Sequence, residues 1–167
     1  MVNDDGARQT SRHDLDPQTG VALYERECKA RGCKALTRVV EMLDQPHALM
    51  RDCHLNHHGG MALARALATN SIIRRVDLRN NGLTGEALEA VLGALATNVH
   101  IEEVDLSGNS FAPVKGHVPA KALAALLRVK GIGIRRLVLN GCGIADEAVR
   151  HIAPVLQNFN KSISILE

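Results

Sequence analysis

The residues with the most evident chemical potential lie in and around the stretch CHLNHH. Their types are those that bind zinc, and the set comprises Cys28, Cys33, Cys53, His54, His57 and His58. The Cys28-x4-Cys33 spacing is wider than the C-x2-C spacing of many zinc sites. His57 and His58 also fit the opening of a helix, where polar side chains are common. We therefore predict structural histidines and no bound metal.

Catalytic motifs are the second kind of chemistry that the sequence can be searched for. No Ser-His-Asp or Cys-His arrangement has supporting context. The glycine-containing stretch KGIGI (130–134) precedes a strand instead of joining a strand to a helix, so it lacks the spacing of a phosphate-binding loop. The sequence predicts no enzymatic activity and no cofactor.

Composition restricts the remaining classes of function. The chain has 167 residues, of which 46% are hydrophobic and 2% aromatic, and its net charge is +2. This balance does not indicate nucleic-acid binding, and the scarcity of aromatics argues against a base-stacking surface. No segment has the apolar length of a signal peptide or a membrane span. The cysteine spacing is not that of a small secreted domain, so we expect reduced thiols and a cytoplasmic location.

Internal repetition is the strongest pattern in the chain. VDLRNNGL (76–83) recurs as VDLSGNSF (104–111), 28 residues later, and the preceding turns ATNSIIRRV (68–76) and ATNVHIEEV (96–104) also agree. A weaker copy, ALMRDCHL (48–55), lies upstream, and LVLNGCGI (137–144) follows at a spacing of 33. NKSISIL (160–166) resembles the start of a fifth copy. A period of this length predicts a solenoid.

The elements of one repeat can be read from its residues. Val76 and Leu78 alternate as a short strand with one buried face. Asn81 can bond the backbone of a buried turn, and stacked copies would form a line of such bonds. Leu83 closes the layer, and GEALEAVLGAL (85–95) has helical spacing. One such unit cannot bury its apolar face alone, so neighbours must stack.

These residues resemble leucine-rich repeats of the ribonuclease-inhibitor-like type, with Cys53 and Cys142 at the positions where that family accepts Cys for Asn. The resemblance implies an α/β fold, a leucine-rich repeat solenoid forming part of a right-handed horseshoe. Parallel strands would line its concave face and helices its convex face. The polar composition of the start of the chain predicts a flexible tail at 1–20. The resemblance implies a two-helix N-terminal cap at 21–46, and four repeats plus the first strand of a fifth at 47–167.

Strand residues that face away from the core form the candidate site. Stacking in register predicts three columns, which are His47–Arg75–Glu103–Arg136, Leu49–Asp77–Asp105–Val138 and Arg51–Arg79–Ser107–Asn140. One reading is an ordinary solvated face on which Arg75, Glu103 and Arg136 pair. The other is a binding surface, because solenoids bind partners on their concave side. The predicted partner-binding residues are Arg51, Arg75, Asp77, Arg79, Glu103, Asp105, Ser107, Arg136, Val138 and Asn140. The insertion at 112–120 is a second candidate.

The leading functional prediction is a protein–protein interaction module, a scaffold or adaptor with a protein partner and no nucleic-acid or membrane partner. The repeats are also similar to those of Ran GTPase-activating proteins, for which Arg79 and Asn80 would be the active polar residues. They are similar, too, to tropomodulin-type and axonemal leucine-rich-repeat proteins, which implies a cytoskeletal or ciliary role. Because the chain stops within a strand, we expect a fragment of a larger protein, with self-association through its exposed C-terminal repeat edge.

Overall fold

The computed structural model describes residues 18–158 and a short strand at 165–166. Residues 1–17 of the predicted tail, and most of the predicted fifth strand, lie outside the described residues. The end of the predicted tail is attached to the fold. Thr19 is buried, and the Ser71 N–H donates to the Gln18 carbonyl oxygen at 2.9 Å.

Helices and short strands alternate after an initial helical pair. The helices are α1 (Val21–Ala30), α2 (Thr37–Met42), α3 (Asn56–Thr69), α4 (Gly85–Thr97), α5 (Pro119–Arg128) and α6 (Asp146–Asn158). The strands are β1 (His47–Leu49), β2 (Arg75–Asp77), β3 (Glu103–Asp105), β4 (Arg136–Val138) and β5 (Ile165–Leu166). The second helix of the predicted two-helix cap, α2, begins at Thr37, because Leu36 has an extended backbone with ψ 124°.

The strands form one parallel sheet in which each strand pairs with the next along the chain, in the order β1-β2-β3-β4-β5. His47 is opposite Arg75, Arg75 opposite Glu103, and Glu103 opposite Arg136. The register predicted from the repeat spacing is therefore confirmed for the first two columns. Parallel strands require a crossover connection, and α3, α4, α5 and α6 supply it.

The core lies between the sheet and the helices. The strand side contributes residues that are at most 1% exposed, namely Val76, Leu78, Val104 and Leu106. From the helix side, residues at helical spacing such as Leu88, Leu92 and Leu95 are fully buried. From α3 onward, helix packing also follows chain order, since α3 packs on α4, α4 on α5 and α5 on α6, whereas α1 packs directly on α3.

The open edge of β1 is covered by α2. The Arg38 guanidinium Nε donates to the Leu49 carbonyl oxygen at 3.0 Å. This side chain supplies a partner for a backbone group at the edge of the sheet, where unpaired groups favour unwanted strand pairing.

Candidate functional site

A line of buried asparagines holds the turns that follow the strands. The Asn81 side-chain NH2 donates to the carbonyl oxygens of Met50 and Leu78 at 2.8 and 2.9 Å. Its oxygen accepts from the backbone N–H groups of Cys53 and Leu55 at 3.1 and 3.4 Å. One side chain thus links two neighbouring layers, which is the role predicted for it.

Asn109 repeats this arrangement one layer further along, and Cys142 replaces it in the next. Asn109 donates to the carbonyl oxygens of Leu78 and Leu106 at 3.0 and 2.8 Å. The Cys142 thiol donates to the Leu106 oxygen at 3.3 Å. Burial raises the pKa of the Cys142 thiol, which keeps it protonated and able to donate. Sequence reasoning placed these residues correctly.

A second line of asparagines, which the sequence analysis missed, lies at the opposite ends of the strands. The Asn98 side chain donates to the carbonyl oxygens of Leu67 and Asn70 at 2.6 and 2.7 Å. Asn70 donates in the same way to the oxygens of Thr19 and Leu43 at 2.7 and 2.8 Å. The repeated ATN triplet was the available signal. With both ends of β2 and β3 fixed in this way, the side chains between them are held at defined positions.

The strand side chains that face away from the helices form the polar face of the sheet. We define it as the ten predicted partner-binding residues, at positions 51, 75, 77, 79, 103, 105, 107, 136, 138 and 140. The columns match the prediction, but exposure does not follow alternation alone. Asp77 and Val138 are only 8% and 7% exposed, whereas Leu49 beside Asp77 is 45% exposed. Asp77 is covered because Arg79 folds back over it.

Arg79 is fixed by two aspartates. Its Nε and Nη2 donate to the two oxygens of Asp77 at 3.0 and 2.6 Å, and Nε lies 3.4 Å from the Asp105 carboxylate. Burial raises the pKa of Asp77, but the hydrogen bonds and charge of Arg79 lower it by a larger amount. The pKa of Asp77 is therefore below its ordinary value. The same contact raises the pKa of Arg79. The three side chains therefore form a preorganised charged group.

Arg75 and Glu103 form a second charged pair on the polar face, with 2.7 Å between Nη2 and Oε1. Their side chains are 51% and 33% exposed. A cavity of about 240 Å³ lies between this pair and Arg79, and Arg136 and Val138 also line it. The structure thus brings the predicted residues of β2, β3 and β4 together around one depression.

The 112–120 insertion forms a small hairpin beside α4. Val114 and His117 pair through two backbone hydrogen bonds of 3.0 and 2.9 Å, and the turn residues Lys115 and Gly116 have φ 49° and 86°. Glu89 of α4 accepts from the Val118 N–H at 2.6 Å and contacts His117 Nδ1 at 2.8 Å. The insertion is therefore an ordered projection.

The cysteine and histidine residues near position 53 do not converge. His57 lies 3.7 Å from Glu86 and packs edge-on against His58. Within residues 18–158, no group of three or more His, Cys, Asp or Glu side chains is placed to hold a metal ion. Cys53 instead occupies the turn position taken by asparagine in later repeats, as the repeat pattern predicts.

Residues 69–92 match a protein-family model described as Leucine Rich repeat. The match supports a leucine-rich repeat protein. The matched segment spans the Asn70 turn, β2, the Asn81 turn and the first half of α4. Leucine-rich repeats generally mediate protein–protein interaction, and proteins built from them are typically not enzymes. The parallel sheet and the six helices fit a leucine-rich-repeat type of fold.

A search of curated proteins gave no match. Among the described helices, none has the length and apolar character needed to cross a bilayer.

Proposed function

We propose that the chain is a non-enzymatic protein–protein interaction module, a scaffold or adaptor whose protein partner binds the polar face. In this proposal the layers stack as a ribonuclease-inhibitor-like, right-handed solenoid, and the polar face is its concave side. Residues 21–46 act as a cap on the first layer. The preorganised charged group of Arg79, Asp77 and Asp105 carries the proposal.

The proposal is supported by the small amount of side-chain ordering that binding would require. Association loses free energy when long side chains at an interface must be ordered. Arg79 is already held by three contacts of 3.4 Å or less, and Arg75 is held by Glu103. A partner would therefore meet a fixed pattern of charges beside the exposed Leu49. Such patterns determine specificity more than affinity.

A charge swap tests the polar face without removing its ion pair. The double variant Arg75→Glu/Glu103→Arg keeps the net charge and can keep the pair, but it inverts the charges that a partner meets. Arg136→Glu is a second, independent change. We expect proteins captured by the immobilised chain to be lost with either variant, by at least tenfold in label-free mass spectrometry.

The matched control is a swap on the helix side, Glu27→Arg/Arg31→Glu, which inverts an ion pair of 3.5 Å at the C-terminal end of α1. This control should retain the captured proteins. Capture that survives both polar-face variants would show that the partner binds elsewhere, and the insertion would become the next surface to test.

The insertion can be tested through Glu89, which anchors it. Glu89→Ala removes both acceptors that hold 117–118. A hydrogen bond to a charged group contributes about 1.5–3 kcal/mol, so we expect amide exchange at Val118 to accelerate by about 10- to 100-fold. Glu41→Ala, at an exposed position of α2 away from the insertion, is the control. If the insertion binds the partner, capture falls with Glu89→Ala and is unchanged with Glu41→Ala.

The GTPase-activating alternative would use Arg79 or Asn80. Both side chains make intramolecular contacts, Arg79 with Asp77 and Asp105, and Asn80 with Asp52 at 3.0 Å. These contacts favour a structural role over a catalytic one. Single-turnover GTP hydrolysis by a panel of small GTPases tests the alternative, and stimulation that disappears with Arg79→Ala would establish it.

Two further parts of the proposal concern location and self-association. We place the protein in the cytoplasm, with a cytoskeletal or ciliary structural role as the alternative, which imaging of a tagged chain would distinguish.

Val149 and Leu156 of α6 are each 46% exposed beside an apolar depression lined by Leu139 and Ile144. We propose that a second copy covers this C-terminal edge. Light scattering should then show a concentration-dependent dimer that Val149→Asp weakens.

A further inference from the structure

The end of α1 brings two cysteines together. Gly32 has φ 66°, the left-handed conformation that glycine adopts readily after a helix. The Gly32 N–H donates to the Lys29 carbonyl oxygen at 3.2 Å, and the Cys33 N–H donates to the Cys28 carbonyl oxygen at 2.9 Å. These are the two bonds of the Schellman motif, in which the side chains at the positions of Cys28 and Cys33 commonly contact each other.

The geometry of this motif is compatible with a disulfide. With standard bond lengths, the 2.9 Å hydrogen bond limits the separation of the two Cα atoms to about 7 Å. Disulfides span Cα separations of about 4.4–6.8 Å. The two residues also lie close enough for the Cys33 thiol to raise the pKa of the Cys28 thiol, and for the Tyr24 hydroxyl to lower it. Both cysteines are free in this structure.

The two thiols differ in access to solvent. Cys28 is 1% exposed, within the core beside Tyr24, whereas Cys33 is partly exposed at the end of the turn. Burial, and next the nearby Cys33 thiol, raise the pKa of the Cys28 thiol. An oxidant in solution therefore reaches Cys33 first, and Cys28 is positioned to react only with the Cys33 sulfur, once that sulfur is part of a mixed disulfide.

We propose that Cys28 and Cys33 form a reversible redox modification site that reacts with small-molecule disulfides of the glutathione class. The Cys33 thiolate attacks one sulfur of glutathione disulfide, forming a mixed disulfide and releasing one glutathione thiolate, which takes up a proton. Cys28 then loses its proton, and its sulfur attacks the Cys33 sulfur, releasing the second glutathione. Two protein thiols are oxidised to one disulfide, and one glutathione disulfide is reduced to two thiols.

The disulfide would join the last turn of α1 to the segment that leads into α2. That segment is already attached to α1 at one point, because the Leu36 N–H donates to the Tyr24 hydroxyl oxygen at 3.4 Å. Oxidation would add a covalent link at the adjacent position. The site therefore regulates how rigidly α1 and α2 are held together, and does so without using the polar face.

The experiment uses the 167-residue chain equilibrated in mixtures of reduced and oxidised glutathione, followed by alkylation and peptide mapping. Trypsin cleaves after Lys29 and Arg31, between the two cysteines, so a disulfide is detected as two short peptides joined together. As oxidised glutathione increases, we expect the joined peptides to be recovered from more than half of the protein molecules. They should disappear on return to reduced glutathione. Cys142, which is buried, should be recovered as the alkylated thiol at every glutathione ratio and serves as the internal control.

Two variants test the order of the steps. In Cys28→Ser, Cys33 should accumulate as the mixed disulfide with glutathione, because the second thiol is missing. In Cys33→Ser, Cys28 should stay unmodified for at least ten times as long as the wild-type pair takes to oxidise. Far-UV circular dichroism establishes that each variant is folded.

Three results would overturn the proposal. The first is a wild-type chain in which both cysteines are alkylated at every glutathione ratio. The second is a wild-type chain that stops at the mixed disulfide on Cys33. The third is rapid glutathione attachment to Cys28 in folded Cys33→Ser. None of these results depends on whether the polar face binds a partner.

Discussion

Replacing Asn81 by alanine tests how the layers are held together. The change removes the donor to the Met50 carbonyl and the acceptor for the Leu55 N–H, and both residues are at most 3% exposed. The Leu78 carbonyl keeps its bond from Asn109 at 3.0 Å. Each buried group left without a partner costs about 1–3 kcal/mol, so Asn81→Ala should lower the free energy of unfolding by about 2–6 kcal/mol.

Urea unfolding monitored by circular dichroism measures this loss, as a lower midpoint at an unchanged slope. Asn81→Cys should lose less, because the Cys142 thiol makes one of the equivalent bonds at 3.3 Å. Asn80→Gly is the neighbouring control. Asn80 is exposed with φ 53°, so glycine relieves its left-handed backbone while the exposed hydrogen bond to Asp52 is lost. The two effects oppose each other, and the replacement should change stability by less than about 0.5 kcal/mol. A loss below about 1 kcal/mol for Asn81→Ala, similar to that of the control, would refute the reasoning.

Two further predictions concern the polar face and the packing between layers. Asp77 has a lowered pKa in the folded chain, so its contribution is present above the unfolded-state pKa and is lost as pH falls through the folded one. We therefore expect Asp77→Asn to lose less stability than wild type between about pH 5 and pH 2, and an identical acid dependence would contradict the role assigned to Arg79. A Cβ at Gly133 would lie 2.5 Å from the Val99 carbonyl oxygen, whereas one at Gly93 in α4 would meet nothing within 4 Å. Thermal unfolding should show Gly133→Ala destabilised by about 1–3 kcal/mol and Gly93→Ala stabilised by about 0.5–1 kcal/mol; equal effects would be inconsistent with this packing.

The sheet register could be predicted from the sequence because it follows from repetition alone. When Val76 and Val104 occupy equivalent positions in identical layers, parallel stacking places them side by side. The same logic gave the positions of Asn81, Asn109 and Cys142. Alternation in a strand, however, gives only the face on which a side chain lies. It could not show that Asp77 is covered by Arg79, which depends on how a long side chain folds over its neighbour.

Features set by local backbone geometry were harder to predict. Cys28 and Cys33 were considered as zinc ligands from their residue types, yet their proximity results from the conformation of Gly32. The hairpin in the insertion depends on left-handed backbone at Lys115 as well as at Gly116, and a lysine gives no strong signal for that conformation. Both cases are single turns, which occur once and gain no support from repetition.

The chain-order packing of strands and helices has a consequence for folding kinetics. Among the described elements, β1, β2, β3 and β4 each pair with the next strand along the chain, and helices α3 to α6 pack in the same order. Closing a loop of about one repeat length is therefore enough to add each layer, and loop-closure entropy rises only slowly with length. Short sequence separation between contacting residues favours fast folding. We expect a layer to form on whichever neighbour is already ordered, so that nucleation at more than one repeat can lead to the same native structure.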